Sequence, residues 1–371
     1  MEILLTILAF VVVVFVLILV HEWGHFITAK KTGMRVDEFA IGFPPKLFSY
    51  KKGETEYTIN TLPIGGFVRI YGEDPTQIAD GPDKERSFSS RPRWAQALVL
   101  IAGVVMNILL AWFLLVIVAF SFGTNTQISE DEAGPYSSLF IVNVLDGSVV
   151  KDVIPNQSKI ISVRDVNNEV ILDKLKPTAL TEFIGDVGSS PIEIVYSTYS
   201  GNEERVIVTP QAGVIEDNPE QIAIGIATSL FDKVQYGFGD AIVVGTLQTL
   251  SMLEMIIVAI SSLIQDTFTG TADYSDVAGP VKLFNITGDK ASEGIGSLLS
   301  FTALISLNLA VINLLPIPAL DGGRLLIVGI ESVLRRPLNP NWTTILNLIG
   351  IVFILLLTLL VVYKDITDLF G

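Results

Sequence analysis

The sequence predicts a polytopic α-helical membrane protein with about four transmembrane helices, a membrane-associated β-hairpin and one extracytoplasmic α/β domain. Hydrophobic residues make up 50% of the 371 positions and charged residues only 17%, and the mean hydropathy is +0.56. Four runs, at 3–20, 97–120, 298–320 and 345–362, are long and apolar enough to cross a bilayer. The net charge of −15 argues against a nucleic-acid partner.

The distribution of charge orients these spans. Eleven Lys and Arg lie within 30–93 and three Arg within 321–344, whereas 124–231 holds 6 Lys and Arg against 16 Asp and Glu. Basic loops are retained in the cytoplasm. We therefore expect both basic loops inside, and the acidic domain and both termini outside.

One further segment, 241–264, is also long enough to span. Its polar residues recur at nearly helical spacing, which favours an amphipathic helix at the outer interface or against the other helices over a fifth span. They are Gln248, Ser251, Glu254, Ser261 and Gln265. The predicted segments are 1–30, 31–93, 94–123, 124–230, 231–296, 297–344 and 345–371, in which the first, third, sixth and seventh each carry a transmembrane helix.

The only two histidines, His21 and His25, stand four residues apart, and Glu22 follows the first. Residues i and i+4 share a helix face, so both imidazoles can reach one ion, while Glu22 projects about 100° away. This H-E-x-x-H pattern is typical of zinc peptidases in which the glutamate activates a water. The alternatives are a chance pattern, or two histidines whose hydrogen bonds are satisfied in a core. Because the motif ends an apolar run just before Lys30 and Lys31, it lies within the membrane, where ionisable groups usually mark a functional site.

A catalytic zinc requires a third protein ligand. The chain has no cysteine and no further histidine, so a carboxylate must serve. Asp321 follows a helix-breaking stretch with two prolines, on the cytoplasmic side that also carries His25. Glu254 and Glu331 are the rival candidates, the first on the wrong side and the second beyond the break.

Two asparagines in the apolar runs have two interpretations each. Asn313 could stabilise a developing oxyanion or the cleaved peptide, and a helix-packing role is nearly as plausible. Gly103 and Asn107, four apart, fit a close helix contact, and we expect Asn107 to serve in packing.

The cytoplasmic loop predicts a β-hairpin. Residues 56–62 and 67–71 alternate in polarity around the turn sequence 63–66, Pro-Ile-Gly-Gly. The structural interpretation is an ordinary surface hairpin. The functional interpretation is that an open strand edge near the metal pairs with an extended stretch of substrate.

The acidic segment 124–230 predicts a small αβ domain. Strand-like runs occur at 139–144, 159–163, 192–197 and 205–209, and a helix is expected at 178–187 with Thr178 as its cap. Since no metal or phosphate motif occurs in it, we interpret it as a recognition or gating module.

These motifs give the chain a resemblance to the site-2 protease family of intramembrane zinc metalloproteases, in particular to bacterial regulators of sigma-E protease. The H-E-x-x-H motif is matched at His21, Glu22 and His25. The family's N-x-x-P-x-P-x-x-D-G segment is matched by residues spread over 313–322, namely Asn313, Pro316, Pro318, Asp321 and Gly322. Also similar are 39–43, 63–68 and 278–281, so the match runs nearly end to end.

The resemblance implies that His21, His25 and Asp321 bind Zn2+ and that Glu22 is the general base. It implies a PDZ-like domain at 124–230, outside a bacterial inner membrane, with the active site near the cytoplasmic face. The substrates implied are single-span membrane proteins, such as anti-sigma factors or remnant signal peptides, already trimmed by an upstream site-1 protease.

The chain departs from the family pattern at two places. It has Asn-Gln-Ser-Lys at 156–159 where such PDZ domains usually have a Gly-Asp turn, and Arg324 where members often have histidine. A metal-ion transporter and a non-catalytic PDZ-bearing scaffold are the alternative functions. The first calls for repeated halves, which we do not find, and it leaves Glu22 unexplained.

Overall fold

The computed structural model describes residues 2–73, 82–134, 137–145, 147–151, 153–156, 158–198, 203–215, 218, 220–270 and 278–370. Part of the predicted polar loop before the second span, and Gln157 of the departing turn, lie outside these residues. Two compact units are formed, one by Met1–Val118 with Phe238–Gly371 and the other by Ala119–Gly237.

Helices and strands alternate along the chain in the following order. They are α1 (Glu2–Lys31), β1 (Val36–Lys52), β2 (Thr55–Ile70), α2 (Arg93–Ile117), β3 (Thr124–Ile128), β4 (Ser138–Val144), β5 (Lys159–Asp165), α3 (Pro177–Val187), β6 (Ile192–Ser197), β7 (Glu203–Val208), β8 (Ile226–Val234), α4 (Phe238–Thr269), α5 (Pro280–Glu293), α6 (Ile295–Leu314), α7 (Asp321–Leu334) and α8 (Pro340–Phe370).

Among the described residues, five helices are long and apolar enough to cross a membrane: α1, α2, α4, α6 and α8. The chain is therefore a multi-pass membrane protein, as predicted. The segment expected to form an interfacial helix, 241–264, is the central part of the longer helix α4. Length and composition do not decide whether α4 spans, so the four-span topology stays a prediction.

Helix α2 is the centre of the first unit, in contact with α1, α4, α6 and α7. Near its start, Val99 and Leu100 pack in one buried cluster with Ala29 of α1 and Val328 of α7. Near its end, residues of α2 form a second cluster with α4 and α6, comprising Ala111, Leu114, Leu115, Ile256, Ala303 and Leu307. The two ends of α2 are therefore buried against different helices, the start against α1 and α7 and the end against α4 and α6.

The two-stranded sheet formed by β1 and β2 has its hairpin turn in a different place from the one predicted. Strands β1 and β2 pair antiparallel outward from Lys52 and Thr55, so the turn lies at Gly53 and Glu54. Gly53 has a φ of +64°, which favours glycine in a tight turn. The prediction of a turn at 63–66 that closes a hairpin was wrong.

Residues 63–66 instead carry β2 from one side of β1 to the other. The first part of β1, 36–41, pairs with 66–70 on one edge and with 56–59 on its other edge. Alternation in the sequence identified the two strand segments of β2 correctly. It did not identify their neighbour, because a strand from earlier in the chain lies between them.

An ion network fastens the hairpin turn to the end of α1. Lys30 Nζ lies 2.6 Å from Glu54 Oε1, and Arg86 Nη1 lies 2.7 Å from Glu54 Oε2. Hydrogen bonds from Arg86, and then from Lys30, lower the pKa of the Glu54 carboxyl to about 2. Because the folded-state value is depressed, the contribution to stability is fully present above pH 4.5, the ordinary value, and is lost as the pH falls toward 2.

Within its described residues, the second unit forms a six-stranded sheet with the order β3-β8-β4-β5-β6-β7 and one α-helix, α3. The four predicted strand runs fall on β4 to β7, while β3 and β8 were not predicted. Residues of the strands and of α3 form one buried core, which includes Leu139, Ile141, Ile160, Val163, Leu180, Ile184, Ile192, Ile194 and Leu230.

The predicted cap of α3 was wrong. The helix begins at Pro177, with Lys176 at the N-cap position. Thr178 lies inside the first turn, where its backbone N–H donates to Glu130 Oε1 at 2.8 Å. The cap is therefore a carboxylate from a distant segment, and the helix macrodipole favours a negative charge at this end. Local sequence patterns do not reveal such a cap.

We predict that Glu54→Gln increases hydrogen–deuterium exchange of the backbone amides of the β1–β2 hairpin by up to about fivefold at pH 7, because a partly buried ion network contributes up to about 1 kcal/mol. The difference from wild type should shrink as the pH falls from 4.5 toward 2. Exchange measured by mass spectrometry on the full chain in detergent tests this. Glu56→Gln is the matched control, since Glu56 pairs with Lys46 within the hairpin itself. Equal exchange in wild type and Glu54→Gln at pH 7 would contradict the prediction.

Candidate metal centre

The two histidines lie on one face of α1, as their spacing predicts. Their Nε2 atoms are 3.2 Å apart, and the rings meet edge to face with centroids 4.7 Å apart. Both residues are 8% exposed. Their Nε2 atoms therefore point to a common, buried place.

Asp321 reaches that place from the other end of the unit's sequence. Its Oδ2 lies 3.1 Å from His21 Nε2 and 3.3 Å from His25 Nε2. The prediction that these three residues come together from the first and third apolar runs agrees with this geometry. Of the rivals, Glu331 instead pairs with Arg93 at 2.8 Å, and Glu254 is exposed on α4.

The chain break between α6 and α7 places Asp321. Helix α6 ends at Leu314, before the two prolines, and Asp321 is the first residue of α7. Ala319 has a φ of +77°, a left-handed conformation that is uncommon for a residue with a side chain. At Gly322, a Cβ would collide with the carbonyl oxygens of Leu314 and Leu315. The motif therefore makes a turn so tight that only glycine fits after the aspartate.

The donor atoms fit a metal ion. One ligand atom from each of His21, His25 and Asp321 lies within 4.8 Å of the others. The polar atoms next to the partly buried Asp321 Oδ2 are the two imidazole nitrogens themselves. Two imidazoles and one carboxylate are the ligand set of a catalytic zinc site, in which a fourth position stays open.

Helix α2 supports the opposite sides of the imidazole rings. His25 Nδ1 lies 2.8 Å from the Val99 carbonyl oxygen, and the Asn107 side chain lies 3.3 Å from His21 Nδ1. A Cβ at Gly103 would lie 2.5 Å from His25 Nε2 and 2.7 Å from His21 Cε1. Sequence reasoning treated Gly103 and Asn107 as a helix contact and missed this support. Gly103 and Asn107 are four residues apart, as are the two histidines, and this equal spacing could have indicated that the two pairs face each other.

Glu22 lies on the side of α1 that faces the sheet. It lines a small cavity with apolar residues of α1 and with 39–41 of β1, and with Gly65 and Gly66 of β2. A Cβ at Gly66 would lie 3.6 Å from Glu22 Cγ. Glu22 interacts electrostatically with His25, His21 and Asp321 but lies outside the group of three that could hold a metal.

Asn313 lies at the edge of the cluster. Its Nδ2 is 3.4 Å from His21 Nε2, the ring nitrogen that faces Asp321. A packing role alone does not require this orientation.

A His–His–Asp cluster that could hold a metal, set in a unit of long apolar helices, is the arrangement expected of an intramembrane metallopeptidase. Comparison with known proteins narrows this class. The chain matches Peptidase family M50 over residues 9–357, and it therefore belongs to that family. The resemblance to site-2 proteases is confirmed, and so is the prediction of a zinc metalloprotease.

Similar proteins cover the chain almost completely. Regulator of sigma-W protease RasP of Bacillus subtilis is 28% identical, with 98% of this chain and 99% of that protein covered. Zinc metalloprotease RasP of Shouchella clausii is 28% identical over 99% of this chain and 100% of its own length. A protein of Clostridium perfringens named as a zinc metalloprotease is 33% identical over 94% of this chain and 95% of its own length.

We predict that Gly103→Ala lowers the metal content of the purified protein well below that of wild type, because the added methyl group occupies the space of both imidazoles. Metal analysis by mass spectrometry measures this directly. Gly329→Ala is the matched control, since a Cβ there meets no atom within 4 Å, and it should keep the wild-type content. A Gly103→Ala protein with full metal content would show that the rings do not need this space.

Proposed function

We propose that the chain is an intramembrane zinc metalloprotease that hydrolyses single-span membrane proteins within the bacterial inner membrane. His21, His25 and Asp321 hold Zn2+, Glu22 is the general base, and Asn313 assists at the oxyanion. The observation that carries the proposal is the convergence of the three ligand atoms beside Glu22. Zinc, when bound, polarises the scissile carbonyl and lowers the pKa of a water.

Glu22 moves the proton in this reaction. Its carboxylate accepts a proton from the attacking water while the water oxygen bonds to the carbonyl carbon. It then donates that proton to the amide nitrogen as the C–N bond breaks, so that one water is consumed and two chain ends are formed. We propose that Asn313 Nδ2 donates a hydrogen bond to the carbonyl oxygen as negative charge develops on it, and its distance of 3.4 Å from His21 Nε2 supports this.

An extended substrate is needed because a helix hides its carbonyl groups in hydrogen bonds. Within the described residues, segment 66–70 of β2 pairs with β1 on one edge and with no strand on its other edge. Gly66 begins this segment and lies next to Glu22. We propose that the substrate adds to this edge as a strand and so presents its backbone to Glu22.

The substrate class follows from the relatives and the topology. RasP of Bacillus subtilis is named as a regulator of sigma-W protease, which supports anti-sigma factors as substrates, with remnant signal peptides as a second group. An upstream site-1 protease would supply the trimmed substrate. We propose that the Ala119–Gly237 unit is PDZ-like and controls access, since its one helix and antiparallel sheet are compatible with such a domain.

We predict that Glu22→Gln retains zinc but lowers the cleavage rate by about 10²–10⁴-fold, the usual contribution of general base catalysis. Cleavage is measured with a co-expressed single-span substrate whose fragments separate on a gel. Asp321→Asn, which weakens a ligand, should lose both zinc and cleavage. Wild-type rates in Glu22→Gln would exclude Glu22 as the base.

We also propose that four helices cross the membrane and that α4 does not complete a crossing. The start of α4 lies level with the end of α2, since Trp112 Nε1 donates to Thr246 Oγ1 at 2.9 Å. We place the start of α5 on the same side of the membrane as the start of α4. Gly279 N, just before α5, donates to Asp365 Oδ1, near the end of α8, at 3.2 Å. Phe284 of α5 packs against Phe10, in the first half of α1.

Chain length supports this parity. If α4 crossed completely, residues 270–279 would have to return across the membrane. Nine peptide units span at most roughly 30 Å, and the hydrocarbon core is also roughly 30 Å thick. A return would therefore require this stretch to be fully extended and perpendicular to the membrane. Helix α6 then runs from outside to inside, parallel to α1, and this places Asp321 beside His25.

The absence of cysteine from the sequence makes this topology testable with single substitutions. We predict that Thr269→Cys, at the end of α4, reacts with a membrane-impermeant maleimide from the outer side in spheroplasts. Ser292→Cys, on α5, should react likewise, and Arg336→Cys only after permeabilisation. Protection of Thr269→Cys from outer labelling, with reaction from the inner side, would support a fifth crossing instead.

A further inference from the structure

The two candidate metal-binding histidines present the same nitrogen to the site and the other nitrogen to α2. Both Nε2 atoms face Asp321 Oδ2. His25 Nδ1 lies 2.8 Å from the Val99 carbonyl oxygen, which can only accept a hydrogen bond. The tautomer of His25 is therefore fixed, with the proton on Nδ1 and the lone pair of Nε2 free for a metal.

His21 has a different partner in the same place. Its Nδ1 lies 3.3 Å from the Asn107 side-chain nitrogen, Nδ2. Asn107 is fully buried, at 0% exposure. Its Oδ1 is also buried and has no hydrogen-bond partner among the described residues.

This arrangement of Asn107 is incompatible with metal binding by His21 Nε2. A neutral imidazole that gives its Nε2 lone pair to a metal carries its proton on Nδ1, so an N–H would face an NH2 group. Rotation of the amide by 180° about the Cβ–Cγ bond exchanges its oxygen and nitrogen with little change in shape. The unpartnered oxygen then accepts the hydrogen bond from His21 Nδ1.

We infer that Asn107 is a positioning residue for the metal site, and that its side-chain oxygen accepts the proton of His21 Nδ1. The inference rests on the proposed function, because it concerns how the ligands of that site are held. Asn107 does for His21 what the Val99 carbonyl does for His25. Groups that hold a ligating histidine in this way fix its tautomer and ring orientation and raise its basicity.

Two neighbouring residues, one on α6 and one on α2, define the surroundings of Asn107. Ser306 Oγ of α6 donates to the Asn107 backbone oxygen at 2.8 Å, so α6 is joined to α2 at this level. Gly103, one turn earlier on α2, leaves room for both rings. The backbone of Asn107 is therefore tied to α6, the helix that leads to Asp321, while its side chain faces His21 of α1.

The alternative is that Asn107 only fills space between helices, as its place in an apolar run predicts. The two roles differ in what a substitution must preserve. Asn107→Leu keeps the approximate volume but removes the acceptor. Asn107→Asp keeps both the volume and an acceptor.

The test is zinc affinity of the full-length protein in detergent, measured by competition with a chelator of known affinity. Asn107→Leu should raise the Kd for zinc by about 10–100-fold, the usual effect of losing such a partner. Asn107→Asp should stay within a few-fold of wild type. Asn308→Leu is the matched control, because the Asn308 amide donates within its own helix to the Leu304 carbonyl. It should keep the wild-type Kd.

Cobalt substitution gives a second readout. The visible spectrum of bound Co2+ depends on ligand geometry, so it should change in Asn107→Leu and remain close to wild type in Asn107→Asp. A wild-type Kd in Asn107→Leu, or equal losses in the Leu and Asp variants, would overturn the acceptor role. Failure of the wild-type protein to bind zinc would instead overturn the proposed function.

Discussion

The structure depends on keeping two imidazoles and a carboxylate together below the surface of an apolar helical bundle. Isolated ionisable groups at membrane depth are unfavourable by at least about 2.5 kcal/mol, so each needs the others or an ion. His21 and His25 come from one helix and require only its periodicity. Asp321 requires that α6 stop at Leu314 and that the chain turn back at once. The prolines and glycines around Asp321 are therefore as necessary to the site as the ligands.

Helix α2 turns this local arrangement into a defined geometry. One end of it packs against α1 and α7 and the other against α4 and α6, so the elements that supply ligands share one support. Gly103 lets the imidazoles lie against the helix backbone, which brings His25 within hydrogen-bond distance of the Val99 carbonyl. A larger residue at 103 would push the rings away from the acceptors that orient them.

The meeting of the two histidines with Asp321 and four of the strands in the acidic domain could be predicted from the sequence, because each is a local pattern or follows by elimination. The order of the small sheet could not, since 36–41 inserts between two segments that look like a hairpin. The carboxylate that caps α3 was missed for a similar reason, because Glu130 and Thr178 are far apart in sequence. The position of Asn107 beside His21 could not be predicted for another reason: an amide in an apolar run looks the same whether it packs against a helix or faces an imidazole.

Glu73 links the small sheet to the helix that begins with Asp321, the proposed third ligand. Its Oε2 accepts a hydrogen bond from Ile70 N, at the end of the open-edged segment, at 3.3 Å. Arg324 forms an ion pair with the same carboxylate and donates to the Glu73 carbonyl oxygen at 3.0 Å. Arg324 lies one helical turn after Asp321, so the edge proposed to receive substrate and the turn that presents the third ligand share one anchor. An arginine suits this role where a histidine would not, because its fork of donors can bind the side chain and the backbone of Glu73 together.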